Sequence, residues 1–302
     1  MNRYTGIHPA FYACYDASGA ISPSRIREFA SHLHRKGVSG LYVGGSSGEC
    51  IYQSVSERKL VLESVLEAVQ GKLTVIAHVA CNNTSDSVEL ARHAQACKVD
   101  AIASIPPIYF HLPEHAISAY WNEISNAAPD TDFFIYNIPQ LAGTALTKSL
   151  LLTMLKNPNV VGVKNSSMPT QDIQLFKMLG GEHFTVFNGP DEQFIAGRMI
   201  GADGGIGGTY GVMPSLFLRA DEAFKAGDVE SAQAIQYAIN RIIYKMCEAK
   251  GNLYAVMKEV LRKREDIDLG SVRKPLPGLY EEDALIVAEA VQLLDTAHTQ
   301  FC

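Results

Sequence analysis

No run of the chain is apolar for long enough to cross a bilayer, which takes about 20 consecutive apolar residues, so no membrane partner is expected. The opening segment Met1-Asn2-Arg3-Tyr4-Thr5-Gly6 has no apolar h-region, so no secretory signal is expected either, and a cytoplasmic location is. Cysteine is sparse: Cys14, Cys50, Cys81, Cys97, Cys247 and Cys302 are scattered with no CxxC pair, which argues against a disulfide framework or a zinc site and for reduced thiols. Basic charge is also in short supply. Lys and Arg total 26 against 32 Asp and Glu, a net −6 with no basic run, so a nucleic-acid surface is not expected. The nine histidines, His8 and His78 among them, show no metal-ligand spacing and read as structural or surface residues; no metal is expected. There is no low-complexity segment and no repeat longer than a single strand–helix unit.

What is present is a regular alternation of strand-like and helix-like segments in a chain of 302 residues, 47% hydrophobic and 19% charged, ordinary for a globular protein. Strands are expected at 5–13, 40–44, 73–79, 100–105, 133–138, 160–164, 184–187 and 204–206. Helices are expected at 23–36, 54–69, 85–98, 113–127, 148–155, 172–179, 191–200 and 215–226. Ser22 with Pro23 marks one helix start, and Ser54 with Glu57 three residues on fits a capping box. Eight such units match a (β/α)8 TIM barrel, an α/β fold. The rival, a doubly wound sheet, usually carries GxGxxG after its first strand, and 5–19 has none. After Pro214 only helices follow: 229–249, 252–263 and 282–296, with a loop at 266–279 containing Pro275, Pro277 and Gly278. The division expected is a barrel over 1–226 carrying the active site and a C-terminal helical extension over 227–302.

In such a barrel the reacting groups sit at the C-terminal ends of strands. Val160-Val161-Gly162-Val163-Lys164 ends in a lysine. Burying an ammonium is costly and lowers its pKa, which is what an amine needs to attack a carbonyl and form a Schiff base. A lysine at a strand end more often simply reaches for solvent, so the other strand ends must decide. Strand two runs into Gly44-Gly45-Ser46-Ser47-Gly48-Glu49, whose backbone N–H groups and two hydroxyls suit a carboxylate, or which is a plain turn. Strand five ends in Tyr136-Asn137-Ile138-Pro139, where a phenol could move a proton near the amine or merely pack. Strand seven leads to Gly189-Pro190-Asp191-Glu192, paired acids that could bind hydroxyls or cap a helix. Ser166 and Ser167 follow the lysine, and Tyr109 follows strand four. These residues point to a lysine-bearing barrel with a small anionic substrate and leave that substrate open.

Taken together, the Gly44–Glu49 loop, Tyr136-Asn137-Ile138-Pro139, Gly162-Val163-Lys164 and Gly201-Ala202-Asp203-Gly204-Gly205-Ile206-Gly207 resemble the motifs of the dihydrodipicolinate synthase and N-acetylneuraminate lyase family of class I aldolases, in the expected order from about Tyr4 to the C-terminal helices. Two features resemble the sialic-acid-cleaving branch: Gly-Gly-Ser-Ser in place of the synthase's Gly-Thr-Thr, and the Gly189–Glu192 turn. The synthase's arginine after Tyr-Asn-x-Pro is missing, since that stretch is Gln140-Leu141-Ala142-Gly143. Gly208 departs from the branch, which has a serine there; Ser166 stands where threonine is usual.

The resemblance implies reversible cleavage of N-acetylneuraminate to N-acetylmannosamine and pyruvate through an imine on Lys164, with no other cofactor. It implies Tyr136, Ser46 and Tyr109 as further catalytic residues, Tyr109 coming from a neighbouring copy in a homotetramer, and Ser46 linking the two tyrosines. It implies Ser46, Ser47, Ser166, Gly189, Asp191, Glu192 and Gly208 as the substrate-binding set. The alternatives are another pyruvate-dependent aldolase or dehydratase acting on a different 2-keto sugar acid, a dihydrodipicolinate synthase, and a non-catalytic ligand-binding relative.

Overall fold

The computed structural model describes residues 3–302. Eight strands alternate with helices: β1 (Gly6–Pro9), α1 (Pro23–Arg35), β2 (Gly40–Val43), α2 (Val55–Val69), β3 (Thr74–His78), α3 (Thr84–Ala96), β4 (Ala101–Ser104), α4 (Glu114–Asn126), β5 (Asp132–Asn137), α5 (Pro139–Ala142), α6 (Lys148–Met154), β6 (Val160–Asn165), α7 (Gln171–Gly180), β7 (Thr185–Asn188), α8 (Phe194–Met199), β8 (Gly204–Gly207) and α9 (Pro214–Lys225). Helices α10 (Val229–Cys247), α11 (Leu253–Glu265) and α12 (Asp283–Phe301) follow. The strand order β1-β8-β7-β6-β5-β4-β3-β2 is that of the (β/α)8 TIM-barrel fold. Nearly every strand residue is buried, which is why the strands read as short continuous apolar runs without polar alternation.

Most element ends fall within two residues of the expected ones. Other ends differ by more. The helix expected over 282–296 runs on to Phe301. The first strand ends at Pro9, and beyond it only isolated bonds continue, from Ala10 N to Gly207 O and from Phe11 N to Tyr42 O, each at 2.9 Å. The short helix α5 was not foreseen; Pro139 supplies the preset φ of a first turn. The helix expected from Asp191 opens instead as a 3-10 turn, Asp191–Gln193, before α8.

The chain divides into two compact units: Met1–Gly6 with Thr74–Ile206, and Ile7–Leu73 with Gly207–Cys302. In the first, parallel pairing runs without interruption from β3 to β8. Acids that precede strands tie neighbours together: Asp100 accepts from Val75 N at 2.9 Å and Asp203 from Val186 N at 2.8 Å. Tyr4 donates its hydroxyl to Asp132 at 2.6 Å. In the second unit, α1 packs on α2, and α10 on α9 and α12. The capping box is formed, with Glu57 N donating to Ser54 Oγ at 3.3 Å and Ser54 N to Glu57 Oε2 at 2.8 Å. No helix of the described residues is long and apolar enough to cross a membrane.

His32 on α1 is buried, stacks on Phe29, and its Nε2 has no hydrogen-bond partner among the described residues. Burial is the largest influence and pulls its pKa down to about 4; Glu265 opposes this, while Lys36, Arg35 and Arg264 reinforce it. The folded chain therefore holds His32 neutral, while the unfolded chain takes up a proton below about 6.5. Stability should fall as pH drops from about 6.5 towards 4, by at most about 1.4 kcal/mol per pH unit from this residue. Thermal unfolding across that window should show a smaller acid-side loss for His32→Phe than for the natural chain. Parallel curves would show that His32 does not contribute.

Candidate active site

The reactive layer is set by strand register. Phe133 pairs with Val160, but Phe134 pairs with Gly162, so β6 carries one extra residue, Val161, at that point. After this bulge Tyr136 stands opposite Lys164, and Lys164 opposite Phe187. Residues paired in register on parallel strands project to the same side, so phenol and amine share one face. Lys164 is 4% exposed and Tyr136 3%; the lysine does not reach for solvent. Its Nζ lies 4.0 Å from the centroid of the Tyr136 ring. The His78 ring meets Tyr136 edge-on, centroids 5.9 Å apart. Two residues earlier along the strands, Phe134 packs against Phe187 at 5.8 Å, and Gly162 leaves room for the Phe134 ring, since a Cβ there would stand 2.4 Å from it and 2.4 Å from the Thr185 carbonyl oxygen.

One residue further on, the strands end in a row of buried asparagines: Asn137 pairs with Asn165, and Asn165 with Asn188. Asn137 Nδ2 donates to Asn165 Oδ1 at 2.7 Å, and Leu146 N donates to Asn137 Oδ1 at 2.9 Å. Ser167 Oγ donates to Asp172 Oδ2 at 2.7 Å and stands 3.0 Å from Asn165 Oδ1, a second acceptor for the same proton. Asn188 Nδ2 donates to the Pro190 carbonyl at 2.8 Å. These side chains satisfy backbone groups where the ladder stops, and so shape the loops that carry the remaining candidates. Gly189 N donates to Asn165 O at 2.7 Å. Gly189 lies so close to Ser166 that a Cβ would fall 2.0 Å from Ser166 Oγ. Asp191 is buried and Glu192 exposed, and neither caps a helix through its side chain: Pro190 is the N-cap of their 3-10 turn, and no side-chain cap bond forms. Tyr109 lies apart from this cluster in exposure, with 86% of its surface open, a φ of 87° and the exposed Phe110 edge-on at 5.0 Å.

The second unit carries the Gly44–Glu49 loop. Gly44 has a φ of 76°, and Ser46–Gly48 forms a single 3-10 turn that ends in Glu49, itself left-handed at φ 54°. Gly48 N donates to Gly45 O and Glu49 N to Ser46 O, each at 3.0 Å. The Ser46 and Ser47 hydroxyls are committed to no other side chain among the described residues. Gly208 sits nearby in the same unit. Its backbone is ordinary right-handed, φ −69° and ψ −45°, and its carbonyl accepts from Tyr12 OH at 2.6 Å. A Cβ there would meet Ser47 Oγ at 3.3 Å and Tyr254 Cε1 at 4.0 Å. The missing serine at this position is thus a change of side chain that the backbone does not impose.

His78, structural or surface on sequence grounds, is buried against Tyr136. Sequence reasoning gives no role to Asn137, Asn165 and Asn188, and does not find the buried pair Glu49–Lys258. The shared strand-end position of the three asparagines is the available signal for that row. Glu49–Lys258 spans 209 residues and left no local signal.

The dihydrodipicolinate synthetase family model matches residues 3–294, and the chain belongs to that family. Within it, the chain is 62% identical over 301 residues to an N-acetylneuraminate lyase of Mediterraneibacter gnavus, covering 100% of this chain and 96% of that protein. It is 34% identical to an N-acetylneuraminate lyase of Escherichia coli, covering 92% of each. Among solved structures, the wild-type sialic acid aldolase of Ruminococcus gnavus matches with a TM-score of 0.98 and 62% identity, over 99% of this chain and 100% of that one. A catalytic-lysine mutant of the same aldolase matches with a TM-score of 0.99, over 100% and 99%.

Gly162→Ala tests the packing beneath the lysine. The added methyl meets a fully buried ring and a strand carbonyl, neither of which can swing aside. Overpacking of this kind costs about 1–3 kcal/mol. Chemical denaturation should show that loss, and an unchanged midpoint would mean that β6 can shift without cost.

Proposed function

We propose that the chain is a carbon–carbon lyase of the class I aldolase type that cleaves N-acetylneuraminate reversibly to N-acetylmannosamine and pyruvate, with Lys164 as the Schiff-base amine. The observation that carries this reading is the buried Lys164 Nζ 4.0 Å from the Tyr136 ring, on paired strands, in a chain 62% identical over its full length to an N-acetylneuraminate lyase. That a sialic acid aldolase of the same identity has a catalytic lysine supports the assignment. Gly208 left a different 2-keto sugar acid open; full-length identity to a lyase with this activity disfavours it.

The chemistry follows from the residues. The neutral amine of Lys164 adds to the C2 ketone of the open-chain sugar acid, and water leaves to give a protonated imine. Tyr136, acting as base, takes the C4 hydroxyl proton. The C3–C4 bonding pair then moves into the imine, releasing N-acetylmannosamine as its aldehyde and leaving an enamine on Lys164. Protonation at C3 and hydrolysis free pyruvate and return the amine. The imine is the electron sink, so this scheme calls for no further cofactor or metal. Burial of the amine beside the Tyr136 ring limits water around it, which strengthens electrostatic effects on the reacting atoms.

In the same proposal Ser46 and Ser47, with the N–H groups of their loop, receive the C1 carboxylate. Their uncommitted hydroxyls and the anion-binding geometry of such turns support that role. Ser166, Gly189, Asp191, Glu192 and Gly208 serve the sugar end by their place in the family motifs. Charged acceptors such as Asp191 and Glu192 make bonds to hydroxyls worth roughly 1.5–3 kcal/mol each. Tyr109 serves a neighbouring copy in a homotetramer, with Ser46 in the same proton path. A bulky aromatic held outward at a positive φ, a conformation costly outside glycine, supports that assignment. The setting is cytoplasmic.

Borohydride reduction in the presence of pyruvate tests the scheme. Mass spectrometry should find a single adduct on Lys164. An adduct on Lys258 or Lys72, or none, would end the Schiff-base proposal. Tyr136→Phe should still form the pyruvate adduct but cleave N-acetylneuraminate about 10²–10⁴ times more slowly, the usual contribution of a positioned acid–base group. Cleavage at the natural rate would reduce Tyr136 to a packing residue.

A further inference from the structure

Glu49 occupies an uncomfortable position. It closes the Ser46–Gly48 turn in the left-handed region, φ 54° and ψ 33°, where a residue with a Cβ is held at a cost. Its side chain is 0% exposed and holds three donors from distant parts of the chain. Oε1 accepts from Lys258 Nζ at 2.9 Å; Oε2 accepts from Arg273 N at 2.8 Å and from Tyr15 OH at 3.2 Å. Lys258, on α11, has a side chain only 2% exposed, and its second bond goes to the Ser271 carbonyl at 2.8 Å. The Tyr15 ring is flanked by Lys258 Nζ at 5.0 Å and the Arg273 guanidinium at 4.6 Å. Gln53 Nε2 adds a second tie, donating to Gly48 O at 2.8 Å and Tyr15 OH at 3.2 Å. Arg273 continues outward to Glu57 Oε1 at 2.7 Å and to the Tyr52 carbonyl at 2.9 Å.

A buried ion pair is a poor way to gain stability, since well-packed apolar residues of similar volume serve as well or better. What it does give is geometry. Charge-assisted bonds have narrow lengths and directions, and three of them converge on the residue that ends the turn. Because Glu49 N donates to Ser46 O, Glu49 closes the turn that carries the Ser46 and Ser47 hydroxyls, and the bonds that anchor its side chain hold that end of the turn in place.

We propose that the Glu49–Lys258 pair is a clamp through which the C-terminal helices set the shape of the carboxylate-binding turn, making Glu49 and Lys258 positioning residues for recognition of the substrate carboxylate. The proposal rests on the reading of Ser46 and Ser47 as the carboxylate site. It also separates the two buried lysines: Lys258 spends its amine on Glu49 and Ser271 and acts as a strut, not as a second nucleophile.

The test compares two ketones in borohydride trapping on Lys164, pyruvate and its neutral amide, pyruvamide, with the full-length chain. The natural protein should trap pyruvate at lower concentration than pyruvamide. In Lys258→Met the half-saturating pyruvate concentration should rise about tenfold or more, the scale of one charged hydrogen bond, while that for pyruvamide moves less than about twofold, so the selectivity collapses. Glu49→Gln, which keeps the side-chain shape, should do the same and decides the matter if Lys258→Met does not fold. Equal changes for both ketones, or an unchanged pyruvate response, would overturn the clamp. A natural protein that traps both ketones alike, or neither on Lys164, would overturn the carboxylate reading and the clamp with it.

Discussion

One extra residue in β6 governs what this chain can do. Side chains on a strand alternate in direction, so a slip of a single residue moves a whole strand's pattern to the other face. Without the bulge at Val161, Tyr136 would stand opposite Val163 and Lys164 opposite Asn137, and phenol and amine would project to opposite sides. With it, the two share a layer with Phe187. Bulges are features that re-aim side chains near functional positions, and here the re-aimed side chain is the lysine. Gly162, directly after the bulge, gives up its side chain to the Phe134 ring, so the register change and the packing beneath the lysine are a single arrangement.

Above and below that layer the chain solves two different problems. On the side towards the strand starts, Phe134 supplies apolar packing against Phe187 of the layer itself. On the side towards the loops, Asn137, Asn165 and Asn188 take over from the backbone ladder and hold the turns that follow. Amide side chains are costly to bury unless paired, and the bonds these three make to one another and to the loops fix the loop geometry. The Gly44–Glu49 turn reaches the same end by a different route, through charges contributed by α11 and the loop after it.

Much of this was legible in the sequence because it is local. The strand–helix alternation, the capping box at Ser54 and the strand-end positions of Lys164 and Tyr136 all follow from periodicity and short motifs. The bulge was not legible, because Val160-Val161-Gly162-Val163 reads as an unbroken apolar run whatever its register. The 3-10 turn at Asp191 was misread as helix because its acids suit a first helical turn equally well. Glu49 and Lys258 were invisible for a third reason. Each looks like an ordinary surface residue type, and only the fold brings them within 2.9 Å.

The close approach of Gly189 to Ser166 has a consequence on an evolutionary scale. A Cβ at 189 would fall 2.0 Å from the Ser166 hydroxyl oxygen and 2.7 Å from both the Asn165 carbonyl oxygen and the Ser166 Cα, so position 189 cannot gain a side chain unless backbone moves. The two residues sit on adjacent loops, one after the lysine strand and one before the paired acids. No substitution at 166 relieves that contact, because backbone atoms make part of it; across relatives, position 189 should stay glycine wherever the loop after the lysine strand keeps this path. Drift towards a new sugar at this end of the substrate would then begin at 166 or in the paired acids, with 189 held fixed.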